Sequence, residues 1–253
     1  MKLHPDGSID WRIFVISFVV ALACACAAMA ATDDAGPGGP KEVYAPSSGQ
    51  GPIVILISGA STQGFEAYRS YAAEVARLGY YAVLLDAAEI SGDSPDWFGG
   101  GNLKRTIEQA QRSPQALPGK AAVIGFSRGG GGALAHAARM PDLVTSVVAY
   151  YPSTASLSDM RSLAARFQVP ILVLAGERDN YQNCCLIESI RAMEAAAKEI
   201  KAPFELVVYP NAGHAFNLEA WAVGIGPNKY RAGDAADAWQ RTIKMLRQYQ
   251  PLR

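Results

Sequence analysis

The five residues Gly125-Phe126-Ser127-Arg128-Gly129 constrain this chain more than any other stretch. They follow the apolar run Ala121-Ala122-Val123-Ile124 and lead into Gly130-Gly131-Gly132-Ala133-Leu134-Ala135. A strand, then G-x-S-x-G, then a helix is the setting in which a serine occupies a sharp, strained turn. Glycines two residues before and after that serine allow the strand and the helix to approach one another. The backbone N–H of Arg128 then lies where it can bind an oxyanion. By itself the pentapeptide also fits a plain strand-to-helix turn, so its meaning depends on partners elsewhere in the chain.

The surrounding pattern supplies a frame for such partners. Residues 52–58 (Pro-Ile-Val-Ile-Leu-Ile-Ser) form a continuous β-branched run, as a strand buried on both faces requires. Helical spacing follows over 66–78 and ends at Gly79. Further strands are expected at 80–85, 121–126, 144–151, 169–175 and 204–209, with helices at 103–112, 128–139, 184–200 and 235–248. Val43-Tyr44-Ala45 reads as an added edge strand. Strands alternating with helices imply an α/β domain with a mostly parallel sheet covered on both faces. Ligands then gather at the carboxyl ends of the strands.

A serine hydroxyl is a weak nucleophile and needs a base within hydrogen-bond reach, which in turn needs an orienting carboxylate. The chain has three histidines. His4 lies in a segment expected to be removed. His136 falls nine residues into the helix after Ser127, roughly 13 Å along its axis at 1.5 Å per residue, and reads as a satisfied helix histidine. His214, just past the last strand, is therefore the candidate base. In this class of fold the acid comes between serine and histidine in the chain. Asp179 follows the strand at 169–175 on the corresponding loop, with Glu177 as the alternative and Asp159 as a more distant one. A second oxyanion donor belongs on the loop after the first central strand, where the N–H of Ala60 is the candidate and Ser61 its neighbour.

These strings carry a resemblance. Gly125-Phe126-Ser127-Arg128-Gly129-Gly130, Tyr150-Tyr151-Pro152, Gly176-Glu177-Arg178-Asp179 and Tyr209-Pro210-Asn211-Ala212-Gly213-His214-Ala215-Phe216 together resemble the dienelactone hydrolase family of α/β-hydrolases, over residues 50–248. The resemblance implies an α/β-hydrolase fold, with Ser127 in the nucleophile's place, Asp179 in the acid's and His214 in the base's. Two departures are visible. The name-giving enzymes use a cysteine where Ser127 stands, and they carry a glutamate after the first central strand where Ser58-Gly59-Ala60-Ser61 has none. Both point to serine-type relatives that act as general carboxylesterases. The segment 129–134 is also similar to secreted cutinase-like hydrolases.

Residues 13–31 are apolar except for Ser17, follow Lys2 and Arg12, and end near Ala28-Met29-Ala30. Residues 1–30 therefore read as a secretory signal peptide, with a retained membrane anchor as the alternative; Cys24 or Cys26 is a partial match to a lipid-attachment site. The protein is expected to be secreted or periplasmic, or else membrane-anchored with its domain outside the cytoplasm. Residues 31–50, rich in Gly, Pro, Ala and Ser, read as a flexible lead-in to a catalytic domain at 51–253. Lys plus Arg and Asp plus Glu number 23 each, and 21 each once Lys2, Arg12, Asp6 and Asp10 are set aside, so neither nucleic acid nor an anionic membrane is expected as a main partner.

Cleavage would leave two cysteines, Cys184 and Cys185. They read as small apolar residues opening a helix, since a bond between neighbours lies outside ordinary disulfide geometry; pairing with another chain stays open. His and Cys are few and badly spaced for a metal, and no metal or organic cofactor is expected. The chain is thus expected to hydrolyse small-molecule carboxylic esters through an acyl-enzyme. Trp97, Phe98, Tyr151, Tyr181 and Phe216 are candidates for an apolar acyl pocket. A peptidase or amidase of the same fold is the alternative, as is a non-catalytic envelope binding protein that kept the fold.

Overall fold

The structure is a computed structural model that describes residues 31–32, 41–59, 65–90, 101–157, 159–219 and 230–252. Eight strands form one sheet: β1 (Ala31–Thr32), β2 (Lys41–Tyr44), β3 (Ile53–Ile57), β4 (Tyr81–Leu85), β5 (Ala121–Phe126), β6 (Val144–Tyr150), β7 (Ile171–Gly176) and β8 (Phe204–Tyr209). Their spatial order is β1-β2-β4-β3-β5-β6-β7-β8. From β4 to β8 every pairing is parallel, while β1 and β2 form an antiparallel edge. The helices are α1 (Phe65–Arg77), α2 (Gly101–Ala110), α3 (Arg128–Ala135), α4 (Met160–Ala164), α5 (Ile187–Glu199) and α6 (Ala232–Tyr249). The expected α/β-hydrolase frame is present.

The period-two alternation of side chains on a strand assigns the two faces. Ile53, Ile55 and Ile57 belong to the core layer that also holds Leu103 and Ile107 of α2 and Ile187, Ile190 and Met193 of α5. Val54 and Leu56 pack with Tyr68, Ala72 and Val75 of α1 and with Ala238 and Leu246 of α6. All five β3 side chains are fully buried, which explains why this strand reads as an unbroken apolar run rather than an alternating one. The chain leaves β3 toward β4 on one side and returns to β5 on the other. The strand order therefore reverses between β3 and β5, opening a crevice at their carboxyl ends.

Boundaries shift in places. The helix expected over 128–139 ends at Ala135, and a 3-10 turn covers Ala137–Arg139. The helix expected from Cys184 begins only at Ile187, because the two cysteines before it are otherwise engaged. Among the described residues no helix is long and apolar enough to cross a membrane; residues 1–30 lie outside them.

Candidate active site

Ser127 follows β5 and is the N-cap of α3, with φ 51° and ψ −116°, a region that L-residues rarely occupy. The sequence builds this turn by subtraction. A Cβ on Gly125 would strike Gly129 O and Gly130 Cα, and one on Gly129 would strike Ser58 O and Ile57 O. Both glycines are thus needed for close approach of backbone to backbone. The turn is tied down by Ser127 N–H donating to Tyr150 O at 3.0 Å and by Ser153 N–H donating to Ser127 O at 2.8 Å.

His214 Nε2 lies 3.1 Å from Ser127 Oγ, and His214 Nδ1 lies 2.8 Å from Asp179 Oδ2. These three residues are contributed by the ends of β5, β7 and the loop after β8, and all are buried. The acid loop and the histidine loop interlock. Arg178 N–H donates to Ala212 O, Glu177 N–H donates to Tyr209 O, and a Cβ on Gly176 would collide with Ala212 O. The imidazole is held between two rings. Tyr181 stacks on it at 4.6 Å with 13° between planes, and Tyr151 meets it edge-on at 4.7 Å.

The competing carboxylates are committed elsewhere. Glu177 pairs with Arg191 at 2.6 Å on the surface. Asp159 caps α4 by accepting from Arg161 N–H and Ser162 N–H. His136 is the C-cap of α3 rather than an interior helix residue, and it is buried. Arg128 is the first residue of α3, in the turn whose N–H groups lack an intrahelical acceptor. Ala60 and Ser61, like Trp97 and Phe98, lie outside the described residues. Of the other expected pocket rings, Tyr151 and Tyr181 flank His214. Phe216 is fully buried among Tyr150, Tyr151 and Tyr209 and belongs to the core.

Backbone strain concentrates here. Among the described residues, the non-glycine positions with positive φ are Ser127, Tyr151, Gln182, Asn183, Lys201 and Ala215. All but Lys201 lie on the loops that carry or flank Ser127, Asp179 and His214. Such conformations cost about 1–3 kcal/mol each and persist only where the surroundings impose them.

One expectation is overturned. Cys184 and Cys185 are joined in a disulfide and do not open a helix. The turn just before them, at Gln182 and Asn183, has positive φ at both residues. His214, remote from the two cysteines in the chain, comes close to them: both sulfur atoms and a ring nitrogen of His214 lie within 4.8 Å of one another. Sequence spacing hides this, because the sheet brings the loop after β7 beside the loop after β8.

Comparison with known proteins decides the family. The profile of the dienelactone hydrolase family matches residues 99–250, more than half of the chain. The chain belongs to the dienelactone hydrolase family. A protein of Escherichia coli strain K12 whose name places it with the carboxymethylenebutenolidases is 35% identical over 132 residues, covering 50% of this chain and 45% of that protein. The match thus spans about half the length of that relative. A Yersinia pestis protein of the same name is 26% identical over 233 residues, covering 83% of this chain and 84% of its own. A crystal structure of a Klebsiella pneumoniae protein named as a dienelactone hydrolase superposes with a TM-score of 0.68 at 25% identity, covering 83% and 93% of the two chains. A dienelactone hydrolase-like phosphotriesterase from metagenomic libraries shares the fold, with a TM-score of 0.70 at 23% identity over 87% and 98%.

Proposed function

We propose that this member of the family is a serine hydrolase of small carboxylic esters, working through an acyl-enzyme on Ser127. The observation that carries the reading is the unbroken relay from Ser127 Oγ to His214 to the Asp179 carboxylate, at 3.1 and 2.8 Å. With its Nδ1–H donated to Asp179, the imidazole presents the Nε2 lone pair to the serine hydroxyl. Ser127 attacks the ester carbonyl as His214 takes its proton. Asp179 stabilises the imidazolium, which then protonates the leaving alcohol. The backbone N–H groups of Arg128 and Ala60 are assigned to the oxyanion; losing one such donor typically costs about 10²–10³ in kcat. Water, activated by the same histidine, releases the acid.

The relatives named carboxymethylenebutenolidase support an ester carbonyl as the target, since a butenolide is a cyclic ester. Export is proposed with the same function: residues 1–30 direct the chain out of the cytoplasm. A disulfide on a partly exposed loop supports this, because such bonds persist in oxidising compartments.

Hydrolysis of p-nitrophenyl esters of graded chain length by the wild type and Ser127→Ala tests the reading. The variant is expected to lose about 10⁴–10⁶ in kcat with an unchanged melting temperature. An unaltered rate would end the proposal. A parallel panel of aminoacyl amides would show amidase activity if the substrate class is wrong.

A further inference from the structure

The catalytic relay leaves the Cys184–Cys185 pair without a role, although it sits against the same imidazole. Cys185 is buried while Cys184 is partly exposed. The pair is anchored to the serine elbow. Thr154 N–H and Ala155 N–H donate to Cys184 O at 2.7 and 3.1 Å, one residue after Ser153 grips Ser127 O. Its sulfur atoms and a ring nitrogen of His214 lie within 4.8 Å of one another. Ligand atoms on a tetrahedral zinc, with bonds of about 2.0–2.3 Å, stand roughly 3.3–3.8 Å apart. Opening the disulfide frees the two sulfurs to take that spacing. Asp179 already holds His214 Nδ1–H at 2.8 Å, which is the carboxylate support that metal-bound histidines ordinarily have.

We propose that reduction of the Cys184–Cys185 disulfide creates a site for a thiophilic divalent cation such as zinc, made of both thiolates and His214 Nε2, and that filling it switches the hydrolase off. The chemistry balances with a dithiol as reductant. One thiolate of the dithiol attacks a disulfide sulfur, the Cys184–Cys185 bond breaks, and the second thiol resolves the mixed disulfide. The dithiol is oxidised by two electrons to its own disulfide, and its two protons pass to the freed cysteines. Zinc then displaces those two protons to the buffer and accepts the Nε2 lone pair. That lone pair is the one that would take the proton from Ser127 Oγ, 3.1 Å away, so metal binding and serine activation exclude each other. In the oxidised form neither sulfur is a thiolate, and the site does not exist.

The switching effect rests on the proposed role of His214 in ester hydrolysis; the binding itself does not. The test uses the full chain, oxidised or reduced with a dithiol that is then removed under argon. Each sample is equilibrated with zinc alone, desalted and assayed for bound metal. Reduced protein is expected to retain one zinc per chain more than oxidised protein. The extra zinc should vanish in Cys184→Ser/Cys185→Ser, which still carries Cys24 and Cys26, and should fall at least tenfold in affinity in His214→Gln, checked for folding by thermal melt. Cobalt(II) in place of zinc should give thiolate-to-metal charge-transfer absorption only after reduction. Ester hydrolysis by the reduced protein should drop at least tenfold with zinc and recover with a chelator, while the oxidised protein is indifferent. Equal zinc in both redox forms, or zinc retained by the double cysteine variant, overturns the site. If the zinc results hold but no ester is cleaved by any form, the functional reading fails while the site stands.

Discussion

At the scale of single residues, the site is made as much by what is missing as by what is present. Gly129 lets α3 start in contact with Ser58 O and Ile57 O, and Gly176 lets the acid loop touch Ala212 O. Gly176→Ala forces the loop of Asp179 away from that of His214. The expected cost is about 1–3 kcal/mol, as for other overpacking changes, accompanied by a fall in kcat larger than any change in KM; thermal melts and ester kinetics on the same protein check both. The choice between Glu177 and Asp179 shows how far residue-level reading reaches. Loop position admits both, because each follows the end of β7. The 2.8 Å contact of Asp179 with His214 and the pairing of Glu177 with Arg191 depend on side-chain direction, which periodicity does not encode. The disulfide was illegible for a similar reason. Whether neighbouring cysteines bond depends on how their side chains are turned toward each other, which residue order does not encode.

Among the elements, α1, β5, β6 and α6 meet in an aromatic layer beneath the relay. Phe126, the residue before the serine, stacks on Tyr150 at 5.0 Å and meets Tyr71 edge-on at 5.1 Å. The hydroxyls form a buried chain: Asn217 Nδ2 donates to Tyr71, Tyr71 donates to Tyr150, and Tyr150 lies 2.6 Å from Thr242 Oγ1 and 3.2 Å from Ala238 O. Burial raises the Tyr150 phenol well above its ordinary range, so it stays neutral and able to donate. Tyr150→Phe removes the acceptor of the buried Tyr71 hydroxyl, while Thr242 keeps its bond to Ala238 O; it is expected to cost about 1–3 kcal/mol, read from urea unfolding, with the Ser127 turn kept because its bond runs to the backbone carbonyl of residue 150. The strands of this layer were legible as apolar runs, and their two-faced burial followed from that. Where the helices end was not: α3 stops at Ala135 because the backbone at His136 leaves helical φ and ψ, a local event without a glycine or proline to mark it.

For the molecule as a whole, the antiparallel edge is fastened to the helical layer by charge. Arg69 of α1 grips Glu42 of β2 through contacts of 2.7 to 3.0 Å, and this hydrogen bonding lowers the Glu42 pKa below its ordinary 4.5. A carboxyl depressed in the folded state stabilises fully above its unfolded pKa and loses that contribution as pH falls through the folded value. Stability should therefore decline below about pH 4.5. Glu42→Gln should be less stable near neutrality, by no more than about 1 kcal/mol since Arg69 is half-exposed, and should lose less on acidification. Melting temperatures across pH 3 to 7 would show the two curves converging; parallel curves would remove this link.

On the proposed mechanism Ser127, activated by His214, becomes covalently acylated. Peptide mapping by mass spectrometry after exposure to a fluorophosphonate reads it most directly. A stoichiometric adduct is expected on Ser127 in the wild type, lost or slowed by orders of magnitude in a folded His214→Ala variant. Ester hydrolysis at full rate with Ser127 unlabelled would contradict it.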